Sequence, residues 1–291
     1  MSQIREFLLS CDYYRSDLGP YYADLVERFV SLGLADIHYD KSVIERGEDS
    51  FWERIWEAIL GCHLADLGFA PKSADEGPDF LCNVAGQRVW VEAICPKPKG
   101  FPETWLNREK GVVYSTPGEA LTLNWTAALK AKRDKLEGAD GKDGYVAKGI
   151  VSPDDIYVIA VNSSRLGGGM LSEFGFSQFP YSAEVGLGIG PIAIPISRDG
   201  EFGEAKHTTR FSIKNSNSAD VDTAIFLGDA YTGVSAVLST GHLCPQPDTF
   251  PFVLVHNPMA RAPLSTGGMG DVDEFASWRE GDEIVLERLS S

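Results

Sequence analysis

Residues 77 to 97, GPDFLCNVAGQRVWVEAICPK, hold two short β-type runs, FLCNV and RVWVEAIC, joined by Ala85-Gly86-Gln87. A hairpin like this pins its own register, because a slip by one residue would turn every side chain to the opposite face. If the chain turns about Ala85-Gly86, facing positions sum to about 171, and Asp79 and Glu92 become cross-strand neighbours with Cβ atoms about 5 Å apart. Two ionised carboxylates that close repel, and one pKa should rise unless a cation lies between them. Mg²⁺ suits that place, since it takes one or two carboxylates and completes its shell with water and phosphate oxygens. Alternatively, Asp79 simply follows Gly-Pro in a solvated turn. Glu92 is harder to explain away. It stands mid-strand between Val91 and Ala93, with Trp90 and Ile94 as same-face neighbours, where an acid needs a partner.

The elements around the hairpin bound the fold class. GPYYADLVERFVSLGLADI has Pro20 near a helix start and mostly helical apolar spacing, and DKSVIERGEDS reads as a charged loop. FWERIWEAILGCHLADLGF is the most strongly helical segment, with Asp49 or Ser50 as cap and Gly68 as stop. TPGEALTLNWTAALKAKRDKLEG is a second helix ending at Gly138. DIYVIAVNSS is a continuous apolar run, hence a buried strand. Further β-type runs follow: PIAIPI, HTTRFSIK, TGVSAVLST, FPFVLVHN and EIVLERL. Together they predict a mixed α/β (α+β) sheet flanked by helices, with a helical extension over 1–48, a core over 49–165 and a β-rich part over 166–291. That last part either extends the sheet or forms a small lobe.

Candidate side chains lie on these elements. Glu53 and Glu57 share a helix face, with Glu57 bordering the apolar stripe. Trp125, Leu129, Lys132 and Leu136 form another stripe, which aims Lys132 at the sheet, unlike Lys130, Arg133 and Lys135. Lys132 either snorkels to the surface or approaches the carboxylates. The chain carries a net charge of −16, which excludes a general basic coat for nucleic acid, yet Arg88 to Lys148 holds 11 Lys/Arg against 8 Asp/Glu. A solvated helix face also accounts for that local bias.

An acid on a helix, then Pro78-Asp79, then Glu92 inside the next strand resembles the PD-(D/E)XK nuclease superfamily over roughly residues 50 to 162. The resemblance implies a restriction-endonuclease-like core and a Mg²⁺- or Mn²⁺-dependent deoxyribonuclease acting on DNA. It makes Glu57 the helix acid, Asp79 and Glu92 metal ligands together with the Ala93 carbonyl, and Lys132 the catalytic lysine, because Ile94 stands where that lysine is expected. Lys97, Lys99 and Lys130 become phosphate contacts. A catalytically inactive nucleic-acid-binding or protein-interaction module is the alternative.

Other patterns carry less. Gly167-Gly168-Gly169 lacks the Lys-Ser/Thr of a phosphate-binding loop, and EVGLGIGP has the wrong spacing for a dinucleotide fingerprint. His242 and Cys244 have no partner pair for zinc, His63 sits on an apolar stripe, His256 closes a strand, and no GxSxG elbow exists. Five scattered cysteines suit reduced thiols in a cytoplasmic protein. No apolar run is long enough to span a bilayer, and the N-terminus lacks the pattern of a secretory signal.

Overall fold

The computed structural model describes residues 2–73, 76–167, 173–244, 252–281 and 283–289. Gly168 and Gly169 of the glycine run, and Phe250 and Pro251 of FPFVLVHN, lie outside them. Four helices come first: α1 (Gln3–Ser10), α2 (Gly19–Ser31), α3 (Tyr39–Glu45) and α4 (Glu48–Asp66). Pro20 sits in the first turn of α2, where its missing N–H costs nothing. Tyr22, Val26 and Phe29 form the buried stripe of that helix. α2 packs closely on α4 because a Cβ at Gly61 would lie 2.7 Å from the Phe29 ring.

The segment DKSVIERGEDS is a helix, not the expected loop, since α3 buries Tyr39, Ser42 and Val43 at helical spacing. Gly47, at φ +80°, turns the chain straight into α4. Neither Asp49 nor Ser50 caps α4. Asp49 pairs with Lys97 and Arg165, and the Ser50 hydroxyl donates to the Ser42 carbonyl. Gly68 does mark the helix end, at φ +76°.

Strands β1 (Phe80–Val84) and β2 (Gln87–Ile94) form the hairpin, with Ala85 at φ 50° and Gly86 at φ 87° in its two-residue turn. Positive φ at both positions is the turn whose twist matches paired strands. Next come α5 (Glu103–Leu106), α6 (Gly118–Glu137), the small hairpin β3 (Gly138–Ala139) with β4 (Lys142–Asp143), and β5 (Ile156–Asn162). After α7 (Tyr181–Leu187) lie two short ribbons, β6 (Ile189–Ala193) with β7 (Lys206–Thr209) and β8 (Ser212–Lys214) with β9 (Asp220–Asp222). The chain ends in β10 (Ala236–Thr240), β11 (Val253–His256), β12 (Asp273–Glu280) and β13 (Glu283–Leu289).

Among the described residues, seven strands join one mixed sheet in the order β1-β2-β5-β10-β11-β12-β13. β2, β5 and β10 run parallel, and β1 is antiparallel to β2. The last four strands therefore continue the sheet that holds the hairpin, while β6–β9 form ribbons outside it. β12 and α7 were not expected from sequence. DEFASWRE is polar at both ends, and SAEVGL is short and contains a glycine.

Both faces of the sheet are covered. Ile156, Val158 and Ala160 of β5 pack with α1–α4, while Tyr157, Ile159 and Val161 pack with α6 and α7. That explains the uninterrupted apolar run, which belongs to parallel strands buried on two sides. No helix among the described residues is long and apolar enough to cross a membrane. Because Gly86 holds φ 87° with open space around it, Gly86→Val should cost about 1–2 kcal/mol through backbone strain alone, read by denaturant unfolding. An unchanged midpoint would contradict the left-handed turn.

Candidate functional site

The hairpin register runs from Phe80↔Val91 to Val84↔Gln87, so that extending it by one residue sets Asp79 opposite Glu92, as expected. Asp79 lies just before β1, and its carboxylate accepts the Ala93 N–H at 2.6 Å. The N–H and C=O of one strand residue point to the same side, so the Ala93 carbonyl faces Asp79 too. The turn geometry thus delivers one carboxylate to the end of β2, beyond the last residue of β1.

Glu92 is 1% exposed. On its face of β2, Trp90 packs in the core beneath α6. The partner that such an acid requires comes from that helix: Lys132 Nζ donates to Glu92 Oε1 at 2.7 Å and Lys135 Nζ at 2.8 Å. Lys135 was expected to point away from the sheet, yet its long stem carries the ammonium back to the same oxygen. The other oxygen, Oε2, is buried and meets no donor at full hydrogen-bond geometry among the described residues, although the Tyr145 phenol approaches the same carboxylate. Burial alone would lower the Lys135 pKa, but the Glu92 carboxylate overrides it and holds the ammonium above the usual lysine range. Burial, followed by the Glu92 charge, pushes the Tyr145 phenol up to about 12.

Glu57 projects from α4 into the same cleft. Arg54, one turn earlier, contacts Glu57 at 2.7 Å and Asp36 at 3.0 Å through a single nitrogen. Tyr39 supports it by donating its hydroxyl to the Arg54 carbonyl. The cleft, of about 750 Å³, is lined by Glu57, Asp79, Ala93, Lys132 and Lys135 together with Asp36, Ile37, His38 and Arg54. Burial and the Asp79 charge push Glu57 up to about 7, while burial and the Glu92 charge push Asp79 up to about 6. Fully ionised, Glu57, Asp79, Glu92 and Asp36 face Arg54, Lys132 and Lys135, so the acids outnumber the bases. As pH falls through about 7 and then about 6, Glu57 and Asp79 take up protons and the cluster becomes less negative.

The other expected residues lie elsewhere. Lys97 pairs with Asp49 at 3.0 Å and Lys130 with Asp134 at 2.5 Å along the helix surface. Lys99 lines a separate groove at the N-terminal end of α6, with Asn124 and Lys214. Lys132 is fourteen residues along that helix from Gly118, roughly 20 Å away by its rise. His63 stacks on Phe252 at 4.2 Å and is pushed by burial down to about 4, as suits a core histidine. His256 contacts Glu274 at 2.5 Å within the sheet and does not line the cleft. Residues that sequence reasoning missed are Lys135, Arg54 and the 36–38 turn. The spacing of Lys132 and Lys135, and of Arg54 and Glu57, at three residues was the available signal.

The donors at the end of β2 are all oxygen: Glu92 Oε2, Asp79 and the Ala93 carbonyl. A hard cation such as Mg²⁺ fits their chemistry. Among the described residues no group of three or more His, Cys, Asp or Glu could hold a metal ion, so water and phosphate oxygens would have to complete its shell. No family model, no curated protein and no solved structure matches the chain.

Two outcomes follow from these contacts. Lys132→Met leaves Glu92 to the half-exposed Lys135 and should cost about 2–4 kcal/mol, whereas Lys135→Met should cost less than about 1 kcal/mol. Urea melts giving the reverse order would remove Lys132 as the principal counter-charge. The raised pKa values of Glu57 and Asp79 mean that the folded state holds protons the unfolded chain releases. Their contribution is complete below about pH 4 and is lost as pH rises to about 7, so stability should fall across that window. The slope should flatten in Glu57→Gln.

Proposed function

We propose that the chain is a metal-dependent nuclease that hydrolyses phosphodiester bonds of nucleic acid, DNA in the first instance, on a restriction-endonuclease-like core. What supports this most is the convergence of Glu57, Asp79, Ala93 and Lys132 on one cleft, beside a Glu92 oxygen that meets no donor at full hydrogen-bond geometry among the described residues. The antiparallel β1–β2 hairpin followed by α6 and parallel β5 accords with such a core.

Asp79 and Glu92, with the Ala93 carbonyl, would hold Mg²⁺ or Mn²⁺, which supplies charge relief at the phosphate and a water that loses its proton near neutral pH. The residues of the chain do the rest. Lys132 and Lys135 hold the Glu92 carboxylate in one orientation, and Lys132 offers its remaining protons to the phosphate oxygen on which charge builds. Glu57, protonated below about pH 7 and ionised above it, orients the attacking water and accepts its proton. Arg54 holds the Glu57 carboxylate in place.

The test is nuclease assay with Mg²⁺ or Mn²⁺ and with chelator, on wild type, Asp79→Asn and Glu92→Gln. Cleavage should need the metal and fall about 100-fold or more in either variant, with folding checked by circular dichroism. Activity that survives both substitutions would falsify this site. Two observations favour a second reading, an inactive module that binds through the same sheet. Both ammonium groups already occupy Glu92 Oε1, and Ile94 stands where the strand lysine is expected. Wild type that binds nucleic acid without cutting it in any metal would select that reading.

A further inference from the structure

The α2–α3 connection forms one wall of the cleft, and near its end, just before α3, stands Ile37, 93% exposed. A lone aliphatic side chain on a surface is ordinary. This one is held out by design of its neighbours. Leu34 and Tyr39, on either side, are buried at 3% and 1% exposure. Asp36 clamps the turn between them: its Oδ1 accepts the His38 N–H at 2.6 Å, and its carbonyl accepts the Tyr39 N–H at 3.1 Å. Its Oδ2 accepts from Arg54 at 3.0 Å, on the nitrogen that also holds Glu57. The backbone that carries Ile37 is therefore tied through Asp36 and Arg54 to Glu57 in the cleft, and its own side chain is almost wholly exposed on the cleft wall.

A phosphodiester held by the acid and lysine cluster carries an apolar part as well as a charged one. The base attached to the neighbouring sugar is the piece of such a substrate that an aliphatic surface can desolvate, and apolar side chains do enter base steps in this way. We propose that Ile37 is the specificity-determining contact of this cleft, packing against a nucleobase next to the reacting phosphate and favouring strands whose bases are unstacked. This rests on the phosphodiesterase reading above. The clamp matters as much as the residue, because a rigidly presented side chain loses little entropy on contact.

The experiment uses short single-stranded and duplex DNA and RNA oligonucleotides carrying one 2-aminopurine, with Ca²⁺ as the cation, and reads both anisotropy and 2-aminopurine emission. Wild type should bind the single strand more tightly than the duplex and raise the emission as the base leaves its stack. Ile37→Ser should bind about 10-fold more weakly and lose the rise, while Ile37→Phe keeps both. Ile37 has no packing to lose, so the serine variant folds as wild type does. Equal affinity and an equal rise in Ile37→Ser would overturn the assignment and leave the nuclease reading intact. Wild type that binds none of the oligonucleotides would overturn both.

Discussion

Glu92 is the charge around which this molecule is arranged. Placing a carboxylate mid-strand in a sheet covered on both faces costs several kcal/mol of lost hydration, and mutual attraction repays it only when the geometry is close and complete. Lys132 and Lys135 supply that geometry from one helix, three residues apart. The contact contributes little net stability, yet it ties two positions of α6 to one oxygen of β2. Those two positions belong to the wall of the cleft opposite α4.

The hairpin sets the rest. Ala85 and Gly86 close a two-residue turn, and the ladder then counts outward to Asp79 and Glu92 without further freedom. Asp79 lies past the last paired residue, so its carboxylate takes over the ladder and receives the Ala93 N–H itself. One side chain thus serves as the final rung of a sheet and as part of a charged cluster. Its neighbours Glu57 and Arg54 arrive from the opposite layer. The cluster stands at the seam between the two helical layers, where the apolar packing of each gives out.

Much of this was legible in residue order, and the failures have physical causes. The register needed only the turn and the period of two, so the pairing of positions 79 and 92 could be read directly. The direction of Lys132 followed from its apolar stripe. Lys135 did not, because periodicity places Cβ atoms and says nothing about where four further methylenes lead. α3 was hidden behind charged residues, Asp40, Lys41, Glu45 and Arg46, although Tyr39 and Val43 bury one face of it. Arg54 was not singled out in the sequence. Its role depends on Asp36, eighteen residues earlier, and that contact exists only after α2 and α4 pack. Lys97 and Lys130 pair with Asp49 and Asp134; the second pair follows from helical spacing, whereas the first joins residues far apart in the chain.

The strand order also bears on how the chain reaches this state. β1 and β2 meet across two residues, but β5 lies beside β10, and Val158 pairs with Ala236, 78 residues later. Closing so long a loop is slow compared with closing a hairpin. The acidic pair is therefore assembled early on a nascent chain, while the centre of the sheet waits for the C-terminal strands. Until β10 is made, the edge of β5 that it covers is unpaired and apolar, so a ribosome pausing before residue 236 exposes a strand edge of the kind that self-associates.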